Sequence, residues 1–69
     1  MEESIILYEL NGCYKCKMLK TQLDKKGIQY QNVSDIELMK ARGFLEAPKL
    51  EVNGVVMSFA DAMKWVGER

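Results

Sequence analysis

The chain has 69 residues, of which ten are basic and ten acidic, so its formal net charge is zero. A balanced charge argues against nucleic acid or an anionic membrane surface as the main partner. Hydrophobic residues make up 48% of the sequence, which is typical of a folded protein, and no apolar run approaches the roughly 20 residues of a transmembrane helix. We therefore expect one small globular domain over residues 1–69.

The N-terminal segment, Met1-Glu2-Glu3-Ser4, lacks the basic residues that open a secretory signal peptide. This indicates a cytoplasmic protein in a reducing compartment, and we expect it to be a monomer.

The first third of the chain predicts a strand followed by a helix. The apolar run Ile5 to Glu9 is too short for a helix and predicts a buried strand. A helix is predicted from Tyr14 to Lys26, because apolar residues recur at three- and four-residue spacing: Cys16, Leu19 and Leu23. Gly27 then supplies a left-handed C-terminal position.

The middle of the chain predicts a second strand and a short helix. Ile28 to Val33 begins with alternating apolar and polar residues, as in a strand. Ser34 and Glu37 have the spacing of a capping box, so a helix is predicted from Asp35 to Arg42. Its predicted buried residues are Ile36, Leu38 and Met39.

The last third predicts a hairpin and a helix. Pro48 opens a strand from Lys49 to Val52, and Asn53-Gly54 is a strong two-residue turn signal before Val55 to Met57. A final helix is predicted from Phe59 to Gly67, with Ser58 at its N-terminus. The order β-α-β-α-β-β-α requires both parallel and antiparallel pairs, so we predict a mixed four-stranded sheet with helices on both faces.

The two cysteines, Cys13 and Cys16, stand three positions apart at the first strand-to-helix junction. A dithiol at this place can close to a disulfide and reopen without unfolding the chain. A purely structural disulfide between these cysteines would close a loop of about four residues and would stabilise the folded state by only about 2 kcal/mol. The chain has no histidine and no third cysteine, so an intrachain metal site would need carboxylates or a second subunit. Redox activity is the favoured interpretation; a metal or iron–sulfur module and a redox-inactive interaction domain are the alternatives.

Cys13 is predicted to be the nucleophile, because free backbone N–H groups at the start of a helix stabilise a thiolate. Cys16, one turn further into the helix, is predicted to be more buried and to resolve the mixed disulfide. Tyr14 and Lys15, between the two cysteines, are predicted to lie exposed and to contact the substrate protein.

The element order, the Cys-x-x-Cys motif and the run from Gly43 to Gly54 (GFLEAPKLEVNG) together resemble the glutaredoxins. The resemblance covers nearly the whole chain and is closest to the short glutaredoxin-like redoxins of the NrdH type. It implies an α/β thioredoxin-like fold and a thiol-disulfide oxidoreductase that reduces protein disulfides, as such redoxins do for ribonucleotide reductase. It also implies a cis bond before Pro48, with Ala47 offering its backbone to an extended substrate.

The same resemblance implies no bound cofactor or metal, with electrons taken either from thioredoxin reductase and NADPH or from glutathione. Two family features linked to glutathione differ in this chain. Leu10 stands where glutaredoxins usually carry a lysine, and the Gly-Gly pair before the last helix is replaced in the segment Val56 to Phe59. Thioredoxin reductase therefore gains weight as the electron source.

Overall fold

The structure is a computed structural model that describes residues 3–69. Met1 and Glu2, on which part of the signal-peptide argument depends, lie outside the described residues. The elements follow in the predicted order. The four strands are β1 (Ile5–Tyr8), β2 (Gln31–Val33), β3 (Lys49–Val52) and β4 (Val55–Met57). The three helices are α1 (Tyr14–Lys25), α2 (Ile36–Ala41) and α3 (Phe59–Gly67).

The strands form one mixed sheet in the order β2-β1-β3-β4. The central strand β1 pairs parallel with β2 and antiparallel with β3, and β3 pairs antiparallel with β4. The Asn53-Gly54 turn joins β3 to β4, and both residues have positive φ, of 52° and 88°. This is the backbone that a tight hairpin turn requires, so the predicted hairpin and the predicted mixed sheet are confirmed.

The main core lies between one face of the sheet and the helices α1 and α3. Successive strand residues point to opposite faces, so alternate positions of β1 and β3 share this core. Its buried members are Ile5, Leu7, Leu19, Leu23, Leu50, Val52, Ala62 and Val66. Full burial of a leucine or valine side chain contributes about 1.5–3 kcal/mol, so this layer fixes α1, and with it the start of α1, against the sheet.

The other face of the sheet carries α2 and the loop that follows it. Tyr8 and Glu51 lie on this face, next in sequence to core residues Leu7 and Leu50. Arg42 Nη1 donates to Tyr8 Oη and to Glu51 Oε1, both at 2.5 Å, and the rings of Tyr8 and Phe44 meet edge to face with centroids 5.0 Å apart. Helices therefore cover both faces of the sheet, as predicted.

The predicted start of α2 is wrong by one residue. Asp35, and not Ser34, is the N-cap: Asp35 Oδ1 accepts hydrogen bonds from the backbone N–H groups of Glu37 and Leu38, at 3.0 and 3.2 Å. The burial along this helix also differs in part from the prediction. Met39 is buried as predicted, whereas Ile36 and Leu38, predicted to be buried, are 52% and 42% exposed.

The second strand is shorter than predicted because its first residues belong to the end of α1. Gly27 N–H donates to Asp24 O and Ile28 N–H donates to Leu23 O, the paired bonds of a Schellman motif, and Gly27 has the expected positive φ of 68°. Ile28 is thus held by the helix end and β2 begins only at Gln31. In residues 3–69 the structure has no helix long and apolar enough to span a membrane.

Candidate functional site

Cys13 is the N-cap residue of α1. It has an extended backbone (φ −85°, ψ 113°), and its sulfur accepts a hydrogen bond from the backbone N–H of Cys16 at 3.1 Å. The loop from β1 reaches this position through Gly12, whose φ of 76° suits the glycine found there. The sulfur therefore lies at the positive end of a 12-residue helix, where unpaired N–H groups favour negative charge.

Cys13 and Cys16 are joined in a disulfide, and their Cα atoms are 5.2 Å apart. Cys16, in the first turn of α1, is only 2% exposed, whereas Cys13 is half-buried and opens to the surface. The two cysteines thus differ in exposure in the predicted direction. A sulfur atom of another molecule can therefore reach Cys13 but not Cys16.

The loop before β3 lies against the exposed sulfur. The Ala47–Pro48 peptide bond is cis, Pro48 is buried, and Ala47 O lies 3.9 Å from Cys13 Sγ. The fold therefore brings Ala47 next to Cys13 although 34 residues separate them in the chain. The half-exposed Ala47 leaves its backbone beside the dithiol.

The two residues between the cysteines point in different directions. Tyr14 is 76% exposed beside Cys13, as expected. Lys15 is also exposed, but its Nζ lies over the ring of Phe59, 5.6 Å from the centroid, and so connects the first turns of α1 and α3. Phe59 is not among the predicted site residues, since the sequence indicated it only as the first residue of the last helix.

A groove of about 650 Å³ opens on one side of Cys13. Glu9 lies in it, with an Oε2 atom that is buried and receives no hydrogen bond of good geometry from the described residues. Lys20 Nζ lies 3.4 Å from this oxygen, so an ion pair compensates the carboxylate charge. Sequence analysis missed this pair, because Glu9 follows β1 directly and was taken as a strand residue.

A second, smaller groove of about 320 Å³ follows the exposed side of α1. Its lining residues are Tyr14, Lys17, Met18, Thr21 and Gln22. Tyr14, Lys17 and Thr21 line both grooves, so the two form one continuous surface that begins at Cys13. Among residues 3–69 there is no group of three or more His, Cys, Asp or Glu side chains placed to share a metal ion.

Comparison with solved structures gives similar folds at low sequence identity. A Nu-class glutathione S-transferase from Haemonchus contortus superposes with a TM-score of 0.78 at 16% identity, over 97% of this chain and 36% of that one. The glutathione S-transferase from Ascaris lumbricoides superposes with a TM-score of 0.77 at 20% identity, over 94% of this chain and 35% of that one. This chain has the thioredoxin fold.

The thioredoxin fold is what these likenesses establish. The chain spans about a third of the length of either transferase, and identities of 16% and 20% carry the fold alone. Neither a family model nor a curated protein matches this sequence. The chemistry has to be argued from the dithiol and its surroundings.

Proposed function

We propose that this chain is a small thiol-disulfide oxidoreductase of the glutaredoxin type that reduces disulfides in other proteins. The observation that carries the proposal is the pair of sulfurs at the start of α1, one reachable from solvent and one buried behind it. Thiolates, and not thiols, attack disulfides, so a sulfur at the positive end of a helix suits this reaction.

The reaction has two exchange steps. In the reduced chain, the Cys13 thiolate attacks one sulfur of the substrate disulfide, forming a mixed disulfide and releasing the other substrate sulfur as a thiolate. Cys16 then gives up its proton and attacks Cys13 Sγ, which releases the second substrate sulfur. The chain is left with the Cys13–Cys16 disulfide, and two electrons and two protons from a reductant restore the dithiol.

The position of Ala47 supports a role for this residue in substrate binding, because its carbonyl oxygen is 3.9 Å from Cys13 Sγ. We propose that an extended substrate segment pairs with the backbone at Ala47 beside Pro48, which is a common way for a sheet protein to hold a peptide. The exposed Tyr14 and Lys15 would contact the same segment from the side of α1.

A reductase of this kind needs a source of electrons to restore its dithiol. We propose that thioredoxin reductase with NADPH regenerates the dithiol, with glutathione as the second candidate, and that ribonucleotide reductase is one possible class of substrate. Phe59, with Lys15 over its ring, occupies the start of α3, where the resembling family carries glycines that admit glutathione. NADPH oxidation with each reductant system, using insulin as the disulfide substrate, separates the two sources.

The decisive test uses the two single-cysteine variants. We expect Cys13→Ser to reduce no disulfide, because the reachable nucleophile is lost. We expect Cys16→Ser to attack once and to remain bound to its substrate as a mixed disulfide, because the resolving sulfur is lost. Non-reducing electrophoresis and intact mass measure the adduct. Turnover by Cys13→Ser at the wild-type rate would contradict the proposal.

A further inference from the structure

We propose that the disulfides reduced by this chain lie in acidic protein segments, which the lysines of α1 attract and hold beside Cys13. This inference rests on the proposed function and adds the chemical class of the substrate.

The first observation is a segregation of charge within a neutral chain. Residues 14–26, which are α1 and its C-cap, contain five lysines and one aspartate. Their net charge is +4, so the remaining residues together carry −4. The helix that presents the reachable sulfur is therefore the positive part of the molecule. Such a field raises the rate at which acidic partners arrive and disfavours basic ones.

The second observation is that most of these lysines have no ion-pair partner. Of the five lysines in residues 14–26, only Lys20 has a carboxylate of the described residues within 4.0 Å, that of Glu9. Elsewhere on the surface, Arg42 is paired with Glu51 and Arg69 with Glu3. The charge of the other lysines of α1, among them the exposed Lys17, is thus left available.

The third observation is the position of Lys17. Its backbone N–H donates to Cys13 O at 3.2 Å, so it lies one helical turn from the reachable sulfur, and it lines both grooves. Two acidic residues also line the larger groove. Lys20 compensates Glu9, and Asp24 lies eleven positions from Cys13, about 16 Å along the helix. Among the described residues that line these grooves, Lys17 is therefore the lysine without an ion pair that lies nearest to Cys13, and an acidic side chain that enters them beside the target cysteine meets its charge.

Nucleic acid and anionic membranes also attract lysines, but they are less consistent with these observations. The net positive charge belongs to residues 14–26, whereas the rest of the chain carries −4, which an extended anionic surface would repel. A short acidic segment of a protein also brings the disulfide bond that Cys13 attacks, which neither nucleic acid nor lipid contains.

The test compares two synthetic peptides that share one internal disulfide and differ only in three flanking residues, glutamate in one and lysine in the other. The second-order rate constant for oxidation of the reduced chain is measured by acid quench and chromatography. The neutral compound 2-hydroxyethyl disulfide provides the reference rate for each variant. We expect the acidic peptide to react faster than the basic one at low salt, with the difference shrinking at 150 mM salt, where the Debye length is about 8 Å.

Lys17→Gln is expected to lower the ratio of the acidic-peptide rate to the reference rate by about two- to fivefold. Lys40→Gln removes the same charge from α2, where Lys40 is exposed and has no ion pair among the described residues, and should leave this ratio unchanged. Equal rates for the two peptides at low salt, or equal ratios in both variants, would overturn the inference. So would retention by a DNA duplex or by phosphatidylserine vesicles at 150 mM salt without any preference between the peptides. Failure of the proposed function looks different, because then none of the three disulfides is reduced.

Discussion

Tyr30 lies between the end of α1 and the start of β2, and its hydroxyl donates to Asp24 Oδ1 at 3.2 Å. Burial first, and then the neighbouring Asp24 carboxylate, raise the pKa of Tyr30 to about 12. An unfolded tyrosine ionises near pH 10. The unfolded chain therefore loses this proton before the folded chain does, and the stabilising contribution is complete below about pH 10 and is lost as the pH rises through about 12.

We expect the free energy of unfolding to fall between pH 10 and 12, and Tyr30→Phe to reduce that fall by about 1–2 kcal/mol. A shift of two pKa units corresponds to about 2.7 kcal/mol, and solvent screening at this partly exposed group lowers the figure. Urea titrations of the wild-type chain and of Tyr30→Phe at pH 8 and pH 11.5 measure this fall in the free energy of unfolding. Tyr8, whose pKa is also raised, chiefly by burial, remains in both proteins. Equal losses in both proteins would show that Tyr30 does not ionise differently on unfolding.

Residue-level predictions from sequence succeed where the contact is local. The place of Cys13 at the start of a helix follows from the apolar spacing after it, and the burial of Cys16 follows from the same spacing. The contact of Lys15 with Phe59, and that of Cys13 with Ala47, join residues far apart in the chain. Such contacts depend on how the sheet is assembled, and a local pattern does not contain them.

The start of α2 depends on Asp35. The helix has six residues, so one lost cap affects a large share of its hydrogen bonds. We expect Asp35→Ala to lower the free energy of unfolding by about 0.5–2 kcal/mol, because two backbone N–H groups lose their acceptor. Ser34→Ala is the matched control, and a change within about 0.5 kcal/mol is expected for this exposed residue. Urea unfolding followed by circular dichroism compares them, and a larger loss in Ser34→Ala would restore Ser34 as the cap.

At the scale of elements, the helical spacing of apolar residues was sufficient to predict α1 and α3. The Asn53-Gly54 turn signal was sufficient to predict the β3–β4 hairpin. The differences between predicted and observed elements lie at their ends, and the starts of α2 and β2 show why. Ser34 and Asp35 are adjacent residues of which either can cap a helix, and only the backbone geometry decides between them. Ile28 is apolar and suits a strand, but the Schellman motif at the end of α1 uses its N–H first.

The stability of the whole molecule depends on one thin core layer. Leu19 is fully buried in it, between α1 and the sheet. We expect Leu19→Ala to cost about 2–5 kcal/mol, which is comparable to what the core of so small a domain supplies. Leu45→Ala is the control, since Leu45 is 97% exposed and its loss should cost less than about 0.5 kcal/mol. Thermal and urea unfolding measure both, and similar stabilities would show that Leu19 does not support the core as described.

The fold class of the whole chain could be predicted from its sequence, because the order of elements admits few sheets. The strand order β2-β1-β3-β4 could not, since it depends on pairings between segments more than 40 residues apart, such as Ile5 with Val52. The candidate site, too, could be predicted from the sequence only in part. The dithiol is visible in the sequence, whereas the groove that holds Glu9 and Lys20 appears only when the loop after β1 is folded against α1.

β4 is an edge strand of the sheet. Among residues 3–69, β4 pairs only with β3, and its outward backbone groups, beside the exposed Val55 and Val56, can take up a strand from another molecule. Its length of three residues limits such stacking, because few ladder bonds can form. A longer hairpin with further β-branched residues would present a longer exposed edge strand, and such an edge promotes aggregation between molecules. Engineered insertions are therefore better placed elsewhere in the chain.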